Sequence, residues 1–268
     1  MDEVVHYEVV GGVATVTLNR PEHLNTMSPD LIEGALEAFE RAASDEEVRA
    51  LILTGAGRGF CAGGDLGGMA SRAPDPASGR PRPVESDIAR LRSRMRTSQL
   101  LRDMPKVTIA AINGPCAGAG LAWACACDLR YAARSAVFNT AFMTAGLSGD
   151  FGGTWTLPRI VGPAKARELY LMAEKFTAAE AERIGLVTAV VDDADLLDVV
   201  RARAARAAGF APLTLAAIKA NLNDAQHLDF ASLLDREAER HIRVGRTADA
   251  KEAAAAFLQK RPAVFQGR

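Results

Sequence analysis

The ten residues GLSGDFGGTW, 146–155, set one carboxylate, Asp150, among four glycines and two aromatic side chains. Glycine runs supply left-handed backbone and let other groups come close. A lone acid in such a turn has two readings: it caps the helix that follows, or it transfers protons. Apolar neighbours such as Phe142, Phe151 and Trp155 favour the second, because burial raises a carboxyl pKa and excludes water. Two further glycine turns, at 62–65 and 117–120, suit backbone N–H groups aimed at a ligand oxygen, as an oxyanion hole requires. Tight packing of turn on sheet explains the same glycines equally well. The run GAGRGFCAGGDL is not a nucleotide fingerprint, since Phe60 stands where the third glycine of GxGxxG belongs and no GK[ST] occurs.

These turns need elements to position them. VVHYEVV and VATVTLN flank Gly11-Gly12 and read as a hairpin. Ser28-Pro29-Asp30 is an N-cap with proline at the first helical position, and Leu31, Ile32, Ala35, Leu36 and Phe39 follow at helical spacing. A strand at 48–54 and another at 107–112 each run into a glycine turn. Strand–turn–helix units that repeat in this way predict a layered α/β fold. Residues 70–86, rich in Pro, Ser, Gly and Arg, read as a mobile surface loop. Helices dominate beyond residue 160: Thr177 and Glu180 form a capping-box pattern, Gly185 is a stop, RARAARAA is a helix with its arginines in water, and a last helix covers 248–259.

Composition excludes several classes. With 32 Lys+Arg against 33 Asp+Glu, no global field draws the chain to nucleic acid or an acidic membrane. The start, MDEVVHYE, lacks the basic-then-apolar order of a signal peptide, so a cytoplasmic protein is expected. Cys61, Cys116, Cys125 and Cys127 contain no CxxC pair and read as buried small residues rather than a metal site. The uncharged run 107–127 is long enough to span a bilayer, but Asn113-Gly114-Pro115 breaks it into a buried strand, a turn and a buried helix.

Several motifs in register resemble the enoyl-CoA hydratase/isomerase (crotonase) family over nearly the whole chain. They are LNRPEHLN at 18–25, GFCAGGDL at 59–66, IAAINGPCAGAGLAWACACDLRYAA at 109–133 and LPRIVGPAKARELYLM at 157–172. TAAEAERIGLV at 177–187 and AFLQKRPAVF at 256–265 continue the series. The resemblance implies an α/β crotonase ββα superhelix over 1–200 and a helical part over 201–268 that closes on coenzyme A and builds a homotrimer or a dimer of trimers. It implies an acyl-CoA thioester as substrate, with coenzyme A part of that substrate, no separate cofactor and no metal. By motif position, the oxyanion-hole amides would be those of Gly64 and Ala119. An alanine at 119 departs from the commonest glycine there, which a backbone donor tolerates. Ala62 would lie by the adenine, with His23 and Leu24 along the pantetheine–nucleotide part. Asp65, Leu66 and Phe142 complete the substrate-binding set, and Phe257 and Lys260 match residues that meet the adenine end, often from a neighbouring subunit. Read from the helix alone, those last two are a core anchor and a charge at the C-terminal dipole.

Hydratases of this family use two glutamates, and here their positions hold Ala122 and Phe142. Neither can transfer a proton. Asp150 remains, where members that isomerise double bonds or open rings carry an aspartate. GDFGGTWTLPR and GRTADAKEAAAAFLQKRP are especially similar to the ring-epoxide isomerases of aerobic phenylacetate degradation; dienoyl-CoA isomerases share the aspartate but usually keep a glutamate where Phe142 stands. The expected activity is an acyl-CoA isomerase working through Asp150. The alternatives are a hydratase of reduced or atypical activity, or a non-catalytic acyl-CoA binding protein. A nucleophilic aspartate, as in aryl-CoA dehalogenases, would need a histidine where Thr97 stands, and none of His6, His23, His227 and His241 is near it in sequence.

Overall fold

The computed structural model describes residues 3–65, 67 and 83–268. Strands β1 (Val5–Val10) and β2 (Val13–Leu18) form the expected hairpin. Gly11 and Gly12 take φ of 58° and 77°, the left-handed pair that matches a two-residue turn to strand twist. In the helix Pro29–Ser44 the Ser28 hydroxyl accepts the Leu31 N–H at 3.2 Å, and Leu31, Ile32, Ala35 and Phe39 are buried on one face. Leu36 is only half-buried.

Strand β3 (Ala50–Gly55) is buried at every residue, as a parallel strand covered on both faces must be. It pairs with β4 (Val107–Ile112), after which β5 (Cys116–Ala117) leads into the helix Gly118–Ala126. The uncharged run 107–127 is therefore a strand, a turn and a helix, and no helix among the described residues is long and apolar enough to cross a membrane. Strands β6 (Leu129–Ala133), β7 (Val137–Asn139), β8 (Phe176–Thr177) and β9 (Ala189–Val191) follow. One sheet runs β1-β2-β3-β4-β6-β9, parallel beyond the hairpin, and a small one runs β5-β7-β8. This is the layered α/β architecture that the repeated strand–turn–helix units predict.

The large sheet is covered on both faces. One side carries Leu51, Leu53, Phe39, Trp123 and Phe138; on the other, Ile52, Ile109 and Tyr131 meet Leu196, Val200 and Ala204 of the helix Leu196–Ala208. The arginines at 201, 203 and 206 face water, as expected. All four cysteines are free and buried, and burial pushes the thiols of Cys61 and Cys127 up to about 12, which leaves them inert.

Two local expectations change. Thr177 caps the helix Ala178–Arg183 by accepting the Glu180 N–H, but the Glu180 carboxylate pairs with Arg183 at 2.7 Å instead of closing the capping box. Of the stretch read as a loop at 70–86, residues 70–82 lie outside the described residues, and from Val84 the chain is already the helix Val84–Arg94.

The helix Pro212–Asp224 is tied to the core by Lys219, only 7% exposed, whose Nζ donates to Asp128 Oδ2 at 2.7 Å and to the Lys106 carbonyl at 2.9 Å. Asp128 also accepts the Thr108 N–H at 2.8 Å. Removing one partner of such a pair strands the other charge. Lys219→Ala is therefore expected to lower unfolding stability by about 3 kcal/mol, read as a lower urea midpoint.

Candidate active site

Segments far apart in sequence converge on the two glycine turns. Ala117 N–H donates to the Cys61 carbonyl at 2.9 Å, and the N–H groups of Phe60 and Cys61 reach the Pro115 carbonyl at 3.2 and 3.1 Å. Gly63, at φ 95°, passes so close that a Cβ there would lie 2.9 Å from the Ala117 oxygen and 3.6 Å from Gly118 Cα. A Cβ at Gly120 would collide with the Cys61 carbonyl. Packing accounts for these glycines, and that packing sets the amides of Gly64 and Ala119 on adjoining turns. Neither N–H donates to any acceptor among the described residues. Ala119 is the second residue of its helix, so its N–H has no intrahelical acceptor and lies at the positive end of the helix dipole.

The Asp150 loop meets these turns through one ring. A Cβ at Gly118 would lie 3.9 Å from Phe142 Cζ, and one at Gly149 would lie 3.9 Å from Phe142 Cδ2. Phe142 thus spans from the Ala117–Ala119 turn to the residue before Asp150. Around Asp150 the backbone is left-handed at Gly149 (φ 100°), Phe151 (φ 48°) and Gly152 (φ 80°). For phenylalanine that conformation costs on the order of 1–3 kcal/mol. Burial of its ring, edge-on to Trp123 at 5.9 Å, offsets this. Trp123 is itself held by Phe39 at 5.8 Å and by Thr97 Oγ1, which accepts its indole N–H at 2.9 Å. The aromatic column from Phe39 to Phe151 therefore determines where Asp150 stands.

Asp150 is not a cap. The helix Gly153–Val161 has Gly152 at its N-cap and no side-chain cap bond, and only the Asp150 carbonyl meets it, accepting the Gly153 N–H at 3.2 Å. The side-chain oxygen Oδ1 is buried with no hydrogen-bond partner. Burial pushes the carboxyl up from 3.8 to about 6. The neighbourhood differs in one respect from the expected one: Phe142 and Phe151 are buried, but Trp155 is 36% exposed, with Arg102 and Arg159 over its ring at 4.6 and 3.8 Å. Its indole is occupied by two guanidinium groups near the surface.

The raised pKa has a stability consequence. The folded chain holds the Asp150 proton more tightly than the unfolded chain does, so the contribution of this group is most favourable below 3.8 and declines as pH rises to about 6. Above that it stays a penalty. Asp150→Asn is expected to raise unfolding stability at pH 7.5 by about 2 kcal/mol and to flatten that part of the pH profile, measured by thermal melts from pH 4 to 8.

The other expected residues fall as follows. His23 ends the short 3-10 helix Pro21–His23 and is exposed, while Leu24 is left-handed at φ 50°. The Leu24 carbonyl accepts the Ala62 N–H at 3.0 Å, which joins the two motifs read as a coenzyme A path. Asp65 lies 3.9 Å from Arg20, and Leu66 lies outside the described residues. Phe257 is 83% exposed, so it is not the core anchor that its helix position suggests; Lys260 ends the helix Ala248–Gln259 in a left-handed C-cap at φ 53°. Thr97, at the position of the dehalogenase histidine, is buried and fully engaged, donating to the Arg94 carbonyl at 2.8 Å and accepting from Trp123.

Sequence reasoning missed two residues. Asn25 is buried and pins the 56–59 turn, its Nδ2 donating to the carbonyls of Gly59 at 2.7 Å and Ala56 at 3.0 Å. Tyr170 stacks on Phe142, centroids 6.2 Å apart and planes at 16°. The signal for Tyr170 was a lone phenol inside LPRIVGPAKARELYLM, which helical spacing alone does not direct at Asp150. A cavity of about 540 Å³ opens beside the loop, touching Phe151 and Gly152 and the helices Val84–Arg94 and Arg96–Asp103. A larger one, about 810 Å³, lies between the core and the C-terminal helices and shares Trp155 and Thr156 with the first; Asp150 lines neither.

The model of the enoyl-CoA hydratase/isomerase family matches residues 8–268. The 1,2-epoxyphenylacetyl-CoA isomerase of Escherichia coli is 39% identical, over the full length of both chains. A protein of Rhodobacter capsulatus named a probable enoyl-CoA hydratase is 38% identical, covering 98% of each chain. The crystal structure of an enoyl-CoA hydratase from Bacillus anthracis superposes with a TM-score of 0.89 at 29% identity, covering 99% of this chain and 100% of that one. With its layered fold, its paired glycine turns and this similarity from end to end, the chain belongs to the enoyl-CoA hydratase/isomerase, or crotonase, family.

Proposed function

We propose that the chain is an acyl-CoA isomerase in which Asp150 moves a proton between two carbons of a thioester held at the amides of Gly64 and Ala119. The observation that carries this reading is the Asp150 carboxyl: buried, without a partner at Oδ1, and poised at about 6. Ala122 and Phe142, at the two glutamate positions, add no second acid.

The chemistry needs only these parts. The ionised Asp150 removes a proton from a carbon conjugated with the thioester, and the electron pair moves onto the thioester oxygen. Two N–H donors on that oxygen stabilise the resulting enolate. The protonated carboxyl then returns the proton to a different carbon, and the double bond shifts. For a ring epoxide the carbon–carbon bond shared by the three- and six-membered rings cleaves as the ring double bonds shift, and Asp150 carries a proton from the α carbon to a ring carbon, so no atom is gained or lost. The identity with the E. coli 1,2-epoxyphenylacetyl-CoA isomerase supports the ring-bearing substrate. Hydration is the second reading, favoured by the name of the R. capsulatus relative. A non-catalytic acyl-CoA binder is the third, and Asp150's perturbed carboxyl argues against it.

The proposal extends to assembly as a homotrimer or a dimer of trimers in the cytoplasm. Phe230, Phe257 and Leu258 stand exposed on the C-terminal helices, apolar surface that a neighbouring copy would cover. Phe257 and Lys260 would then meet the adenine of a neighbour's coenzyme A, while His23, Leu24 and Ala62 line the path of their own.

The test is proton exchange in D2O with 2-enoyl-, 3-enoyl- and phenylacetyl-derived CoA thioesters. Deuterium entering the α or γ carbon, with a rate that rises through about pH 6, is the expected result. Dominant hydration of the 2-enoyl thioester would overturn the reading in favour of a hydratase. Binding without exchange on any thioester would favour the binder.

A further inference from the structure

Tyr170 takes no part in the chemistry described above, yet it stands inside the site. It belongs to the helix Pro163–Met172, and its ring lies on Phe142, the residue that spans from Gly118 to Gly149. A Cβ placed on Gly153 would stand 2.5 Å from the Tyr170 hydroxyl oxygen and 3.2 Å from the Ala122 Cβ. The phenol therefore meets the first turn of the helix that follows Asp150, beside the small residue at one of the two glutamate positions. Burial raises its pKa, and the nearby Cys125 and Asp150 add to that, so it remains an intact O–H donor throughout the working pH range.

This hydroxyl makes no hydrogen bond with any described residue and is open enough to meet water, whereas Asp150 Oδ1 is buried without a partner. A phenol that meets water in the free protein can exchange that water for an oxygen of a ligand. Two convergent polar groups against an apolar wall of Ala122, Phe142 and Phe151 are what a small-molecule site presents to its ligand. Asp150 is committed to carbon-bound protons in the mechanism above, which leaves an oxygen of the acyl group to take the place of the water at Tyr170.

We propose that Tyr170 donates a hydrogen bond to an oxygen carried on the acyl portion of the thioester, such as a ring ether, hydroxyl or carbonyl oxygen, and so selects oxygen-bearing acyl groups over hydrocarbon ones. This rests on the reading that a CoA thioester lies between the Gly64 and Ala119 amides and Asp150. An enzyme built this way binds a bare hydrocarbon acyl group at the cost of displacing that water without replacing its hydrogen bond.

Binding by titration calorimetry tests it without requiring turnover. The probes are phenylacetyl-CoA and the three ring-hydroxylated isomers of it, with the wild type, Tyr170→Phe and Asp150→Asn. The wild type is expected to bind at least one hydroxylated isomer about tenfold more tightly than phenylacetyl-CoA, the fold-change of one neutral hydrogen bond. Tyr170→Phe should lose that preference while binding phenylacetyl-CoA as the wild type does, and Asp150→Asn should keep it. No preference in the wild type, a preference retained by Tyr170→Phe, or equal weakening of all four thioesters by Tyr170→Phe would overturn the role of Tyr170. Asp150→Asn that still isomerises would overturn the mechanism while leaving the binding preference standing. Failure of every thioester to bind would overturn both.

Discussion

Asp150→Asn is expected to lower kcat/KM for acyl-CoA isomerisation by about 10²–10⁴-fold, the range for loss of a positioned acid–base group. The amide has the same shape and fills the same space, but it cannot take a proton from carbon. The buried position of Oδ1, without a hydrogen bond, means that no local network is broken by the change. The substitution also removes a desolvated carboxylate, so the variant should melt higher than the wild type at neutral pH while turning over far more slowly. That combination separates lost chemistry from lost folding. Steady-state kinetics, thermal melts and thioester affinity on one preparation would measure it. Retained turnover with ordinary affinity would remove Asp150 from the mechanism.

Ala119→Pro is expected to cost about 10²–10³-fold in kcat, equivalent to roughly 2.7–4 kcal/mol in the barrier. Proline deletes the N–H that the mechanism aims at the thioester oxygen. At the second position of the helix Gly118–Ala126 it deletes no intrahelical hydrogen bond, because first-turn N–H groups have no acceptor within the helix. The preceding Gly118, left-handed at φ 51°, is the position where proline imposes a local constraint, so the melting temperature must be read beside kcat. The paired control is Ala119→Gly, which keeps the N–H and should keep kcat within a few-fold. Equal losses in both variants would mean that the methyl of Ala119, and not its amide, is what the site uses.

Much of the scaffold was legible along the chain because its causes are local. The Gly11-Gly12 turn, the Ser28 cap, the buried face of the helix Pro29–Ser44 and the break at Asn113-Gly114-Pro115 each follow from residues within one or two turns of one another. The same holds for the continuous apolar β3, whose composition announces a strand buried on both faces. Local causes failed where a distant partner competed, as when Arg183 drew the Glu180 carboxylate out of the capping box. Trp155 shows the same failure: an aromatic residue next to a buried loop is held at the surface by Arg102 and Arg159.

The types of residue available for chemistry were also written in the sequence: one carboxylate among glycines, alanine and phenylalanine where glutamates would stand, and two glycine turns that suit backbone N–H donors. Their arrangement was not. The aspartate could have been a cap or a base, and only packing chose. Phe151 occupies left-handed backbone because Trp123 buries its ring, and Trp123 is held by Phe39 and Thr97, contributed by two other helices. Phe142 bridges the two loops, and Tyr170 arrives from a fifth segment. A carboxyl pKa near 6 is a property of that assembly, since desolvation depends on every surface that excludes water from the group. Residue identity determines which protons can be held; the distance from water, which tertiary contacts alone decide, determines the pH at which they move.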